Sequence, residues 1–170
     1  MQDHSGDYGV AFDMDGVLVD SYHAHFDSWV RMAAKDGLTY SLSDFDSTFG
    51  RISREIIIDL WGEGLEEAKI EAMEAEKEEI YREIIRADFP EMPGMSRFLR
   101  ELKQAGFRLA VGSSGPLENL QVVMEKLDAN LLFDAMITRN DVTQGKPHPE
   151  VFQKAAAAMG LPNSRVVVVE

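Results

Sequence analysis

Four short apolar runs, each stopping at a polar residue, restrict the architectures open to this chain. They are Tyr8 to Asp15 (YGVAFDMD), Arg108 to Ser114 (RLAVGSS), Phe133 to Arg139 (FDAMITR) and Arg165 to Glu170 (RVVVVE). Near-continuous apolar runs of this length read as strands buried on both faces. Helical segments separate them: MSRFLRELKQAG closing on Gly106, PLENLQVVMEKLD, and PEVFQKAAAAMG closing on Gly160. Pro116 and Pro149 stand where a first helical position is expected, and the glycines fall past the ends. This alternation predicts βαβ units: an α/β, Rossmann-like parallel sheet with helices on both faces. In such sheets ligands bind beyond the carboxyl ends of the strands. The polar residues Asp13, Asp15, Ser113, Ser114 and Glu170 stand at those ends.

Residues 21–90 break the alternation and contain no good strand. YHAHFDSWVRMAAKDG, SREIIIDLWGEG and the long charged LEEAKIEAMEAEKEEIYREIIRA all read as helices. In the last, Leu65, Ala68, Met73, Ile80 and Ile84 are the expected buried positions, and the charge run is expected to be a solvated face. The segment DFPEMPG then punctuates a return to the sheet. The expected organisation is a discontinuous core, residues 1–20 and 91–170, carrying an all-helical cap at 21–90. A cap inserted just after the first strand would sit over the strand ends as a lid. A parallel strand normally runs on into its crossover helix, yet RVVVVE is the last stretch of the sequence. The core therefore reads as missing its C-terminal part, leaving Val166 to Val169 partly uncovered.

Composition narrows the function. The 170 residues carry a net charge of −13, which argues against a nucleic-acid surface and against polybasic membrane docking. There is no cysteine, so disulfides, thiol catalysis and thiolate metal sites are excluded. The start of the chain has no secretory-type apolar run, and no stretch approaches transmembrane length. A soluble cytoplasmic protein is expected, its oligomeric state left open.

Asp13-Met14-Asp15-Gly16 carries the strongest chemical signal. Carboxylates two apart on a strand share a face and repel each other. A helix-loop-helix calcium loop would need acids where Ala11 and Tyr22 stand. A turn cap before Gly16 is the commoner role for such a tetrapeptide. The third possibility is metal-dependent phosphoryl transfer, with one carboxylate as nucleophile, a second as proton donor and magnesium relieving the repulsion from the phosphate. The strand end and the apolar Val17-Leu18-Val19 that follow favour this last reading. Gly145-Lys146-Pro147 is not a nucleotide phosphate loop, because Asn140 and Pro147 occupy positions that need Gly and Ser or Thr. Lys146 can nevertheless be delivered to the edge that holds Asp13, where a point charge suits a phosphate oxygen. Ser113 is suited to capping the helix near Pro116, and free N–H groups at a helix start also attract anions.

The ordered set DMDGVLVDS, AVGSSG, GKPHPE and VVVVE resembles the haloacid dehalogenase-like hydrolase superfamily, in its branch with a helical cap between the first two motifs. That branch includes beta-phosphoglucomutase and phosphoglycolate and sugar-phosphate phosphatases. The resemblance implies Asp13 as nucleophile, Asp15 as general acid and base, and Ser113, Ser114 and Lys146 as phosphate-binding groups. It implies a Mg2+ cofactor held by Asp13, Asp15 (through its carbonyl) and Glu170, the first acid of the fourth motif. His25 matches a cap histidine, and Arg54 a cap arginine that reaches the substrate's other anionic group. Where beta-phosphoglucomutase has a Lys-Asn pair after the motif serine, this sequence has Pro116-Leu117. Asp15 separates the chain from the dehalogenases and from the phosphonoacetaldehyde hydrolases. The expected activity is a magnesium-dependent phosphatase for a small phosphorylated metabolite, acting through an aspartyl phosphate. A sugar phosphomutase is the alternative, and a non-catalytic binding protein on the same fold is the third.

Overall fold

The structure, a computed structural model, describes residues 8–170. The seven residues before them, part of the expected first core segment, lie outside the described residues. The chain divides into two units, one made of residues up to Ser21 together with Phe89–Glu170, the other Tyr22–Asp88.

The first unit is built on four parallel strands: β1 (Gly9–Phe12), β2 (Arg108–Gly112), β3 (Ala135–Ile137) and β4 (Val166–Val169), in the order β3-β2-β1-β4. β1 is central and fully buried, as its apolar run predicts. Alternation assigns its side chains to two faces. Phe12 meets Phe98 and Phe133 edge-on, with ring centroids 6.3 and 6.2 Å away. The opposite face is made of small residues. Ala11 and Ala110, paired in register, pack against Ala155 of α7 (Glu150–Ala158) and Met159 just past its end. On that face a methyl group at Gly112 would come within 3.1–3.2 Å of Val151 and Phe152, so the absence of a side chain is what lets the start of α7 lie this close. α5 (Met95–Gln104) and α6 (Leu117–Lys126) complete the unit, burying Leu99 and Leu120 respectively. Val167 and Val168 of β4 are exposed.

The second unit is wholly helical: α1 (Tyr22–Lys35), α2 (Leu42–Thr48), α3 (Ser53–Trp61) and α4 (Glu67–Ala87). Trp29, Met32, Phe45, Ile57, Met73 and Ile80 form its core. Ser41 starts α2 with a reciprocal capping box, accepting from the Asp44 N–H while Asp44 accepts from the Ser41 N–H. The buried face of α4 differs from the expected one. Met73 and Ile80 are buried, but Ala68 is exposed and Leu65 and Ile84 are only half-buried. Ile70, Lys77, Tyr81 and Ile85 are buried instead. Leu65 precedes the first turn of the helix, and a buried lysine defeats a reading that sends every charge to solvent.

Candidate active site

Asp13 leaves β1 with its N–H donated to the Val169 carbonyl at 2.8 Å, so the strand pairing extends to the acid itself. Its own Oδ1 accepts the Met14 N–H at 2.7 Å. Met14 is fully buried, whereas Asp13 and Asp15 on either side are partly exposed. Past Asp15 the chain reverses: the Gly16 N–H reaches the Val19 carbonyl at 2.8 Å and the Leu18 N–H reaches Met14 at 2.9 Å. Gly16 has φ +74°, a left-handed conformation that a side chain disfavours.

Lys146 completes the centre. Its ammonium lies 2.7 Å from Asp13 Oδ2 and 3.1 Å from Glu170 Oε1, and 4.7 Å from the centre of the Phe152 ring. The ammonium is buried and ion-paired to both carboxylates. With three N–H donors and two carboxylate partners, it keeps a donor suited to a further oxygen acceptor. Burial pushes the Asp13 carboxyl above its ordinary range; Lys146 and the Met14 N–H pull it back, and Asp15 adds a smaller upward push.

Ser113 follows β2, on the strand hydrogen-bonded to β1. It is buried, and its hydroxyl oxygen accepts the Gly115 N–H at 3.0 Å. The expected helix-capping role is corrected here: α6 begins after Pro116 with no side-chain cap, because Ser113 turns back onto its own loop. The hydroxyl keeps its hydrogen for another acceptor. Ser114 is exposed beside it. Asp13, Lys146 and Glu170 are thus brought into direct contact, with Asp15 two residues on and Ser113 and Ser114 at the end of the adjacent strand.

Mg2+ favours hard oxygen donors and typically uses one or two carboxylates, with water and substrate phosphate completing its shell. Asp13 and Glu170 supply two such carboxylates gathered about one cationic group. Among the described residues no group of three His, Cys, Asp or Glu is placed to hold a metal. The donor chemistry fits magnesium with two carboxylates and no more.

The other two predicted residues belong to the helical unit. His25 stacks on Tyr81 with ring centroids 4.2 Å apart, and its Nδ1 lies 2.9 Å from the Lys77 ammonium. Lys77 is 3% exposed, ion-paired to Glu78 at 3.0 Å, and lies over the rings of Trp29 and Tyr81. Sequence reasoning missed this residue. The available signal was its position one helical turn from Met73 and Tyr81 on the apolar stripe. Arg54 is held by Glu67 through two parallel hydrogen bonds, one from each terminal nitrogen.

The family model described as haloacid dehalogenase-like hydrolase matches residues 9–170. The chain is 31% identical over 176 residues to the validoxylamine A 7'-phosphate phosphatase of Streptomyces hygroscopicus subsp. limoneus, covering 96% of this chain and 76% of that protein. It is 28% identical over 176 residues to the beta-phosphoglucomutase of Bacillus subtilis, covering 95% and 74%. A crystal structure of a HAD hydrolase, family IA, variant 3, from Entamoeba histolytica superimposes with a TM-score of 0.86 at 25% identity, covering 95% of this chain and 74% of that one. The chain belongs to the haloacid dehalogenase-like hydrolase family, and the parallel sheet bearing Asp13 is that family's fold. It is an enzyme of a class whose named relatives are phosphatases and phosphomutases. No described helix is long and apolar enough to cross a membrane.

Proposed function

We propose that the protein is a magnesium-dependent phosphatase that hydrolyses a small phosphate monoester, a sugar phosphate or similar, through an aspartyl-phosphate intermediate. The observation that carries this reading is the contact of Lys146 with Asp13 at the end of the central strand, with a second acid, Asp15, two residues on. A carboxylate nucleophile needs a cation beside it to receive a dianionic phosphate, and a second acid to protonate the departing alkoxide.

In the first half-reaction an Asp13 carboxylate oxygen attacks phosphorus, the ester P–O bond breaks, and Asp15 gives its proton to the leaving alcohol. In the second, Asp15 takes a proton from water, whose oxygen attacks the phosphorus; inorganic phosphate leaves and the Asp13 carboxylate is restored. Lys146, Ser113 and Ser114 hold the phosphate oxygens throughout. Asp13, the Asp15 carbonyl and Glu170 would hold Mg2+, which when bound would supply charge neutralisation between phosphate and nucleophile. His25 and Arg54 are assigned to the rest of the substrate.

The Streptomyces relative, named as a validoxylamine A 7'-phosphate phosphatase, supports the hydrolytic reading. The Bacillus relative supports the second reading, a phosphomutase in which a sugar hydroxyl replaces water as acceptor. Such an enzyme must exclude water from the intermediate. Pro116-Leu117 at the positions of the mutase Lys-Asn pair weighs against it. The test is phosphate release with Mg2+ from hexose phosphates, hexitol phosphates and phosphoglycolate, beside β-glucose 1-phosphate with its bisphosphate. Release of phosphate, lost on chelation, is expected. Isomerisation without release identifies the mutase, and neither activity identifies a binding protein.

A further inference from the structure

The loop that delivers Lys146 has little of its own to hold it. Thr143, Gln144 and Gly145 are all exposed, and no strand pairs with them. One carboxylate gathers this loop. Glu150, the first residue of α7, accepts the Thr143 N–H at 3.1 Å on Oε1, and on Oε2 the Gln144 N–H at 2.8 Å and the Thr143 hydroxyl at 2.9 Å. The Lys154 ammonium closes the set 3.0 Å from Oε1 and also donates to the Asp141 carbonyl, tying the start of the same loop. The Glu150 side chain is only 14% exposed. Lys154 and the loop N–H groups hold its carboxyl down at about 2.

This network ends two residues before Lys146. On the far side, the Glu150 N–H donates to His148 Nδ1 at 3.3 Å, and the His148 N–H to the Gly145 carbonyl at 3.0 Å. The aromatic face under the ammonium belongs to Phe152, two residues after Glu150, on the turn that packs against Gly112. The first turn of α7 therefore fixes both the backbone that carries Lys146 and the surface on which its ammonium rests. Four donors on one carboxylate exceed what a solvated surface glutamate needs, and the three from Thr143 and Gln144 do not serve the regularity of α7; only Lys154, four residues on, pairs with Glu150 along the helix.

We infer that Glu150 is the positioning residue for Lys146: it clamps the Thr143–Gln144 backbone so that the lysine ammonium is fixed beside Asp13 without being drawn there by substrate. The consequence for catalysis rests on the phosphatase reading above, in which Lys146 holds the transferring phosphate; the clamp itself does not.

Two measurements separate the clamp from that reading. The first needs no activity: reductive methylation of surface amines followed by mass spectrometry on the unaltered protein, Glu150→Gln and Glu150→Ala. Lys146 is expected to react about tenfold faster in the variants, because the loop opens locally, while Lys103 and Lys126 keep their rates. The second is a double-variant cycle on phosphatase turnover. Glu150→Gln should lower kcat about tenfold to a hundredfold, with a smaller change in KM, as expected for a displaced catalytic group. It should have no further effect in a Lys146→Ala background. Unchanged labelling at Lys146 overturns the inference, as does an equal loss in both backgrounds. If the unaltered protein releases no phosphate, the functional reading falls and the labelling result still decides the clamp. If both variants fail to fold, the Thr143 and Gln144 amides of the unaltered protein decide it: exchange as fast as in a free peptide overturns the inference.

Discussion

Arg54 and Glu67 are joined by a two-pronged ion pair within the helical unit. The pair raises the guanidinium above its ordinary range and lowers the carboxyl below its own. If Arg54 reads a distal anionic group of the substrate, that group must take the place of Glu67. Glu67→Gln should then lower KM for a bisphosphate or charged monoester severalfold and leave an aryl phosphate unchanged. Arg54→Ala should do the reverse. Equal changes on both substrates would remove Arg54 from substrate recognition.

Asp13→Asn should abolish turnover while leaving the fold intact. An amide oxygen cannot form the aspartyl phosphate, and nucleophile loss in covalent catalysis costs at least about a thousandfold. Phosphate release and circular dichroism on the same preparation check this. Substantial activity in a well-folded variant would sink the assignment.

Lys77→Ala should lower stability by about 3 kcal/mol, the cost of removing one member of a buried ion pair. The ammonium sits against His25 and Glu78 and over two aromatic rings, and its stem packs in the core of the helical unit. Urea unfolding measures the loss. A change below about 1 kcal/mol would show that the site relaxes around the missing cation.

Asp134 gives a pH prediction in the sheet unit. Burial raises its carboxyl, but Lys103 at 2.7 Å and the Leu109 N–H at 2.8 Å outweigh that and leave it below the ordinary 3.8. A lowered carboxyl contributes stability above its unfolded value and loses it as pH falls through the folded one. Asp134→Ala should therefore cost about 1–2 kcal/mol at pH 7, chiefly through the orphaned Leu109 N–H. The difference from the unaltered protein should shrink steadily below pH 3.8. A gap that stays constant to pH 2.5 would contradict the ion pair's role.

Much of the sheet unit was legible in the chain itself. Continuous apolar runs fall on β1, β2 and β4, and the amphipathic segments on α5, α6 and α7, because burial on two faces and on one face leave different periods in a sequence. The chain alone also determined that Asp13 and Asp15 leave a strand together, since a two-residue spacing at a strand end is a local property. Contacts between residues far apart were decided only by tertiary structure. Lys77 reads as part of a charge run, and its burial depends on Trp29 and His25, some fifty positions earlier, being folded onto α4. Glu150 reads as a helix-starting acid, and three of its four donors come from a loop with no period of its own, the fourth being Lys154 of α7 itself. Lys146 meets Asp13 and Glu170 because parallel pairing sets β4 beside β1 and α7 lies close over Gly112. Periodicity records which way a side chain faces along its own element; which distant group it meets is set by how the elements pack.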